Sequence, residues 1–272
     1  NLTVRHTYLR LGRNFRNQFT AVKYEKRQQM KYEKRVKYDQ MVVEREYLRT
    51  STYRKLNPNG VVPTLIHNGN IILESSIIMH YVNDAFEGPQ LKPTEPLEIS
   101  KMLNWMKKAD ELYLPSIGAL TYTISWRDSF LQKSDSELKK YFNEIPDEER
   151  RTRRQRSIEL GFSSPDFVKA LTSLDQMLTD METTLSQVEW LAGNKFTLAD
   201  AAIIPFLERL DEFTYSELWE EGRPAVSEWW DRIKARDSYE DVLGKVPNPE
   251  GPQHRKKGQK YWPKIKNMLI KI

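Results

Sequence analysis

The sequence contains no cysteine. That absence excludes disulfides, thiolate metal sites and cysteine nucleophiles together, so any thiol chemistry must use a thiol carried by a substrate. Its four histidines, His6, His67, His80 and His254, are scattered, which leaves no zinc-ligand spacing and no metal in the expected site. No stretch approaches the roughly 20 apolar residues that a membrane helix needs. The chain opens Asn1-Leu-Thr-Val-Arg5 rather than with a basic, apolar and small-residue leader. These absences predict a soluble protein with no membrane segment, placed in the cytoplasm or another reducing compartment.

What is present is ordinary in amount and uneven in distribution. Hydrophobic residues make up 39% of the 272, enough for one large or two modest cores. The net charge of +5 hides an asymmetry: residues 1–55 hold 15 Lys/Arg against 5 Asp/Glu, and residues 245–272 hold 8 against 1. The middle is correspondingly acidic. Basic ends fit either solvated surfaces or contact with an acidic partner, including a nucleic-acid-containing assembly.

Three prolines, Pro89, Pro93 and Pro96, interrupt the chain near residue 90 and divide it into a domain at 1–87 and another at 98–272. In the first, Leu2–His6, Lys31–Tyr38, Thr64–His67 and Ile71–Leu73 read as strands, the last two joined by Asn68-Gly69-Asn70. Phe15, Phe19 and Val22 keep helical spacing, as do Arg45–Lys55 and Ser75–Phe86, so the order is βαβα and then ββα. In the second, Met102, Met106, Ala109, Tyr113, Ile117 and Leu120 repeat at helical intervals, and so do Phe167, Leu171, Leu174, Leu178, Met181 and Leu185. The fold class is therefore α/β followed by all-α. The charge run Asp147–Arg156, acidic first and basic later, predicts the start of an exposed helix.

The informative stretch is Leu56-Asn-Pro-Asn-Gly-Val-Val-Pro-Thr-Leu65, followed after the hairpin by Glu74-Ser75 at the start of a helix. Free backbone N–H groups at a helix start attract a carboxylate, a serine hydroxyl adds a donor, and a glutamate pairs with an amine. An α-amino acid head group needs all three. A cis bond before Pro63 would present the Val62 backbone to an extended peptide. The same residues also suit a plain capped helix beside a hairpin.

This stretch resembles the glutathione site of the cytosolic glutathione transferases. The resemblance implies a thioredoxin-like N-terminal domain followed by an all-helical C-terminal domain, with glutathione as co-substrate. It implies that Val62 pairs with the cysteinyl unit, that Pro63 is cis, and that Glu74 and Ser75 hold the γ-glutamyl group. Trp190-Leu-Ala-Gly-Asn-Lys-Phe-Thr197-Leu-Ala-Asp200 resembles the family's capping motif, in which Thr197 caps a core helix and Asp200 reaches back. Ala201, where a larger residue is usual, implies a weaker contact with Phe196. The insertion from Ser125 to Phe162, the Trp229-Trp230 segment and the tail around Tyr261-Trp262 resemble the longer, β-etherase-like branch.

One expected feature is missing. The family carries a Ser, Cys or Tyr just after the first strand to stabilise the glutathione thiolate, yet residues 8–19 contain no Ser, Thr or Cys. Tyr8, Arg13 and Asn14 are the candidate substitutes for that catalytic role. The resemblance implies a glutathione-dependent transferase with weak sulfur activation, acting on an electrophilic and aromatic small molecule, in a homodimer. A non-catalytic scaffold subunit of a larger assembly is the alternative.

Overall fold

In the computed structural model, which describes residues 20–23, 39–43, 46–241 and 248–271, two short strands lie parallel. β1 (Thr20–Lys23) pairs with β2 (Asp39–Val42) from Thr20↔Asp39 to Lys23↔Val42. Parallel neighbours need a crossover of about a dozen residues or more, and 24–38 has that length. After a 3-10 turn at Tyr47–Arg49 and α1 (Ser51–Arg54), β3 (Thr64–His67) runs antiparallel to β1, and β4 (Asn70–Ile72) antiparallel to β3. The sheet order is β2-β1-β3-β4. α2 (Ser75–Ala85) follows the hairpin.

The hairpin turn is chemically specified. Asn68 and Gly69 both have positive φ, 50° and 79°, as a two-residue type I′ turn requires, and Asn-Gly is the pair that adopts it most readily. Two expectations earlier in the module differ. Val22, whose spacing from Phe15 and Phe19 predicts a helix, lies in β1, because a four-residue strand shows too little alternation to declare itself and pairing on both sides decides its state. The strand expected at 31–38 falls outside the described residues, and the observed pairing begins at Asp39. The expected strand at 2–6 lies outside them as well. The helix expected over 45–55 is interrupted at Thr50, whose extended backbone (ψ 150°) frees its side chain to accept from the Tyr53 N–H at 3.3 Å.

Beyond Pro89, α3 (Pro96–Lys108), α4 (Leu114–Thr121) and α5 (Arg127–Leu131) follow one another through two π turns, Ala109–Tyr113 and Tyr122–Trp126. α6 (Asp135–Asn143) opens on a Ser134/Glu137 capping box. α7 (Glu148–Glu159) opens where the charge run predicts, with Asp147 accepting from the Arg150 N–H at 2.6 Å. Then come α8 (Pro165–Leu185), α9 (Leu198–Glu212), α10 (Pro224–Lys234) and α11 (Gly251–Leu269). Every residue whose helical spacing marks it as core, from Met102 to Leu120 and from Phe167 to Leu185, is buried. Trp105, Tyr113 and Tyr122 are buried too, so these aromatics belong to the core. No helix among the described residues is long and apolar enough to cross a membrane.

Among the contacts that join the helical domain to the preceding chain are two made by α2 and the linker. The Ser76 hydroxyl donates to the Asp110 carboxylate, and the Leu198 N–H to the Leu91 carbonyl at 3.0 Å. Thr197 caps α9 as expected, its hydroxyl accepting from the Ala199 N–H at 3.2 Å. Phe196, with Ala201 in place of a larger neighbour, packs instead edge-on against Trp190 at 5.4 Å and under the Arg236 guanidinium at 4.1 Å.

α11 reaches the rest of the domain through a glycine. A Cβ on buried Gly258 would lie 2.0 Å from the Phe213 carbonyl oxygen and 2.8 Å from the Phe213 Cα, both backbone atoms that cannot swing aside. Gly258→Ala is expected to cost about 1–3 kcal/mol through overpacking, lowering Tm by roughly 2–10 °C for a chain of this size. Differential scanning calorimetry checks it, and an unchanged Tm would mean that α11 docks differently.

Candidate functional site

The four residues expected to clamp a ligand converge at one end of the β3–β4 hairpin. Leu65 pairs with Ile72, Ile66 with Ile71 and His67 with Asn70. Val62 and Pro63 lead into β3, and Glu74 and Ser75 follow β4 into α2, so the antiparallel pairing leaves both pairs at the same end of the hairpin. The Val62–Pro63 peptide bond is cis.

The chain leading into Val62 is fixed from beneath. Fully buried Tyr53 donates its hydroxyl to the Val61 carbonyl at 2.7 Å, and that carbonyl also accepts from Asn57 Nδ2 at 2.8 Å. With its proton committed to Val61, the Tyr53 oxygen accepts from the Thr64 hydroxyl at 2.9 Å, and Asn57 Nδ2 reaches Thr64 Oγ1 at 3.3 Å. Burial pushes the Tyr53 phenol above its usual range, against the opposing hydrogen bonds from Thr64 and Asn57. It stays a neutral donor. A satisfied buried network of this kind holds one backbone geometry on either side of Val62 and Pro63.

Glu74 carries the least ordinary geometry of the site. It stands at the N-cap of α2 with φ 58° and ψ 127°, where a side chain is strained, and it makes no capping hydrogen bond. Its side chain is exposed while Ser75 is buried. The first turn of α2 thus offers N–H groups with no side-chain cap, the positive end of the helix dipole, a serine hydroxyl and a free carboxylate within two residues. That set can take a carboxylate and an ammonium side by side.

Tyr8, Arg13 and Asn14 lie outside the described residues. β1 ends at Lys23, so the residue that follows the first described strand is Tyr24, also outside them. The sequence offers no strand signal at Thr20–Lys23, which is why Tyr24 escapes a reading that starts from residue 2.

Two family models match the chain: the glutathione S-transferase N-terminal domain over residues 24–90 and the C-terminal domain over residues 158–237. A probable glutathione S-transferase of Nicotiana tabacum is 32% identical over 203 residues, covering 73% of each chain. The chain belongs to the glutathione S-transferase family. Glutathione is the co-substrate of that family. Within it, protein LigF of Sphingobium sp. strain SYK-6 is 28% identical over 224 residues, spanning 79% of this chain and 86% of LigF. The crystal structure of that β-etherase has the same fold, with a TM-score of 0.74 over 84% of this chain and 99% of LigF, at 22% identity. Tetrachloro-p-hydroquinone reductive dehalogenase of Sphingobium chlorophenolicum is 24% identical over 204 residues, 73% of this chain and 81% of the dehalogenase. The chain is therefore a thioredoxin-like module followed by a helical domain, and it is similar to LigF over most of its length.

Proposed function

We propose that this member of the family is a glutathione-dependent transferase acting on an electrophilic aromatic small molecule. The observation that carries the reading is Glu74: a non-glycine residue in a glycine-like conformation, at an uncapped helix start, on the hairpin that the cis Pro63 bond leads into. In this reading the α2 N–H groups and Ser75 receive the γ-glutamyl carboxylate, Glu74 pairs with its ammonium, and the Val62 backbone pairs with the cysteinyl unit. The thiol loses its proton to solvent, the thiolate forms an S–C bond to the electrophile, and the leaving group departs with the bonding pair. The tetrachloro-p-hydroquinone reductive dehalogenase and the β-etherase LigF among the similar proteins support the choice of an aromatic acceptor. The scaffold alternative gains no support from these relatives.

The group that holds the sulfur belongs to the N-terminal stretch, where Tyr8, Arg13, Asn14 and, from the position of β1, Tyr24 are the candidates. Conjugation of a halogenated dinitrobenzene at pH 6.5 tests both points. Product is expected only with glutathione, and Tyr8→Phe, Arg13→Gln, Asn14→Ala and Tyr24→Phe are expected to separate, with one lowering kcat while KM for glutathione holds. Equal product formation without glutathione would reject the transferase reading.

The reading includes a homodimer. Ile71 on β4, Ile77 on α2 and Leu97 and Leu103 on α3 are large apolar side chains left 43–62% exposed, an arrangement that suits a partner surface. Light scattering at micromolar concentration is expected to give twice the chain mass of 32.2 kDa, and a monomer in low and moderate salt alike would remove this part.

A further inference from the structure

Four arginines meet where α6 and α7 lie against the N-terminal module, and the clamp uses none of them. Arg49 and Arg54 come from the α1 side. Arg150 and Arg154, one helical turn apart on α7, share a face. Arg54 donates through Nη2 to the Glu144 carbonyl at 2.6 Å, and Arg150 through Nη2 to the Asn59 carbonyl at 3.1 Å. Arg154 donates to the Tyr141 hydroxyl at 3.2 Å and lies 4.7 Å over the Tyr122 ring. Arg49 pairs with the Glu144 carboxylate at 2.8 Å and lies 5.0 Å over the Tyr141 ring.

These contacts leave donors over. A guanidinium carries five N–H donors in a rigid fork, and the Nε atoms of Arg54 and Arg150 are buried with no hydrogen-bond partner. Glu144 lies within ion-pair distance of Arg49, though its buried Oε2 has no hydrogen-bond partner, and Asp147 caps α7. Burial first and the neighbouring Arg154 second hold the Arg150 guanidinium below its usual range, against the opposing charge of Asp147. Unfilled, such a site is costly, because buried guanidinium donors lose their water and gain nothing in return.

We propose that Arg54, Arg150 and Arg154 form an oxyanion-binding site that takes the carboxylate, sulfate or phosphate group of a small molecule lodged between the 57–61 loop and α7. Forked guanidinium groups match the paired oxygens of such anions, and burial strengthens the pairing. The ligand also fastens α7 to the loop that leads into Val62. The site stands independently of the glutathione reading.

The full chain is melted in 10 mM sodium sulfate and in sodium chloride of equal ionic strength, a range in which general salt effects match. Sulfate is expected to raise Tm by about 3 °C or more over chloride. Arg150→Gln and Arg154→Gln are expected to lose most of that difference, and Arg154→Lys, which keeps the charge without the fork, part of it. Calorimetric titration of the parent with sulfate reads the same site should a glutamine variant fail to fold. No sulfate-specific shift and no heat in the parent, or a shift undiminished in both glutamine variants, overturns the proposal. Glutathione titrated with and without 10 mM sulfate identifies the source of the anion. Competition in the parent that vanishes in Arg150→Gln assigns it to a carboxylate of glutathione, and unchanged affinity assigns it to a second ligand. Both results uphold the site, while failure of the clamp reading shows separately in the Glu74 variants.

Discussion

Asp200→Ala is expected to destabilise the protein by about 3–5 kcal/mol, because it strands several buried donors at once rather than removing one bond. The wholly buried Asp200 carboxylate accepts from the Leu191 N–H at 3.0 Å and the Trp229 indole N–H at 2.9 Å through one oxygen. Through the other it accepts from the Thr197 N–H at 2.9 Å and the Thr197 hydroxyl at 3.0 Å. Three segments therefore meet on one side chain: the 190–197 loop, the start of α9 and the middle of α10. Alanine leaves a cavity and four donors with nothing to receive them. For a chain of this length the loss corresponds to a fall in Tm of about 6–20 °C. Burial raises the Asp200 carboxyl above its usual range while the four donors oppose the shift. Asp200→Asn is expected to recover little, since its NH2 group would face donors in place of one carboxylate oxygen. The site at Val62 and Glu74 shares none of these contacts, so glutathione affinity in the folded fraction should be unchanged. A fall in affinity at constant Tm would show that Asp200 belongs to the ligand site and not to the core.

The second large effect separates strain from binding. Glu74→Gly replaces a strained backbone with one that adopts φ 58° freely, and it deletes the carboxylate. Relief of about 1–3 kcal/mol of strain is offset by about 0.5–1 kcal/mol of added chain entropy in the unfolded state. Tm should hold or rise. Affinity should fall all the same, because a charged hydrogen bond contributes about 1.5–3 kcal/mol and Ser75 supplies a further donor. The double variant Glu74→Gly, Ser75→Ala is expected to bind glutathione at least about a hundredfold more weakly, or ~2.7 kcal/mol. A stability gain joined to a loss of binding is the signature of a residue kept in strain for a ligand. A drop in Tm with affinity intact would make Glu74 a structural residue.

The helical domain was legible because its signals are long. Six apolar positions from Met102 to Leu120 and six from Phe167 to Leu185 repeat over several turns, and each of them is buried. The hairpin was legible because Asn68-Gly69 names its own turn, and the cis bond before Pro63 is where the resemblance implies it. The first strand was not legible. Thr20–Lys23 is four residues long, paired on both sides and next to aromatics at helical spacing, so nothing local distinguishes it from a helix end. Its position makes Tyr24, and not a residue near Tyr8, the one that follows the first described strand in the sequence. The arginine cluster escaped for another reason. Arg54 and Arg150 lie 96 positions apart, and the charge run that contains Arg150 and Arg154 reads as a solvated helix until α7 is seen against the module.

The central claim is that Glu74 and Ser75 recognise the γ-glutamyl group of glutathione. Calorimetric titration of the parent and of the Glu74→Gly, Ser75→Ala variant, each with glutathione and with cysteinylglycine, tests it directly. The dipeptide keeps the thiol and the glycyl carboxylate but lacks the γ-glutamyl unit. The account predicts one glutathione per chain in the parent, at least about a hundredfold weaker binding of cysteinylglycine, and little difference between the two ligands in the double variant. Equal affinities of the parent for both ligands, or a preference for glutathione that survives undiminished in the double variant, would contradict it.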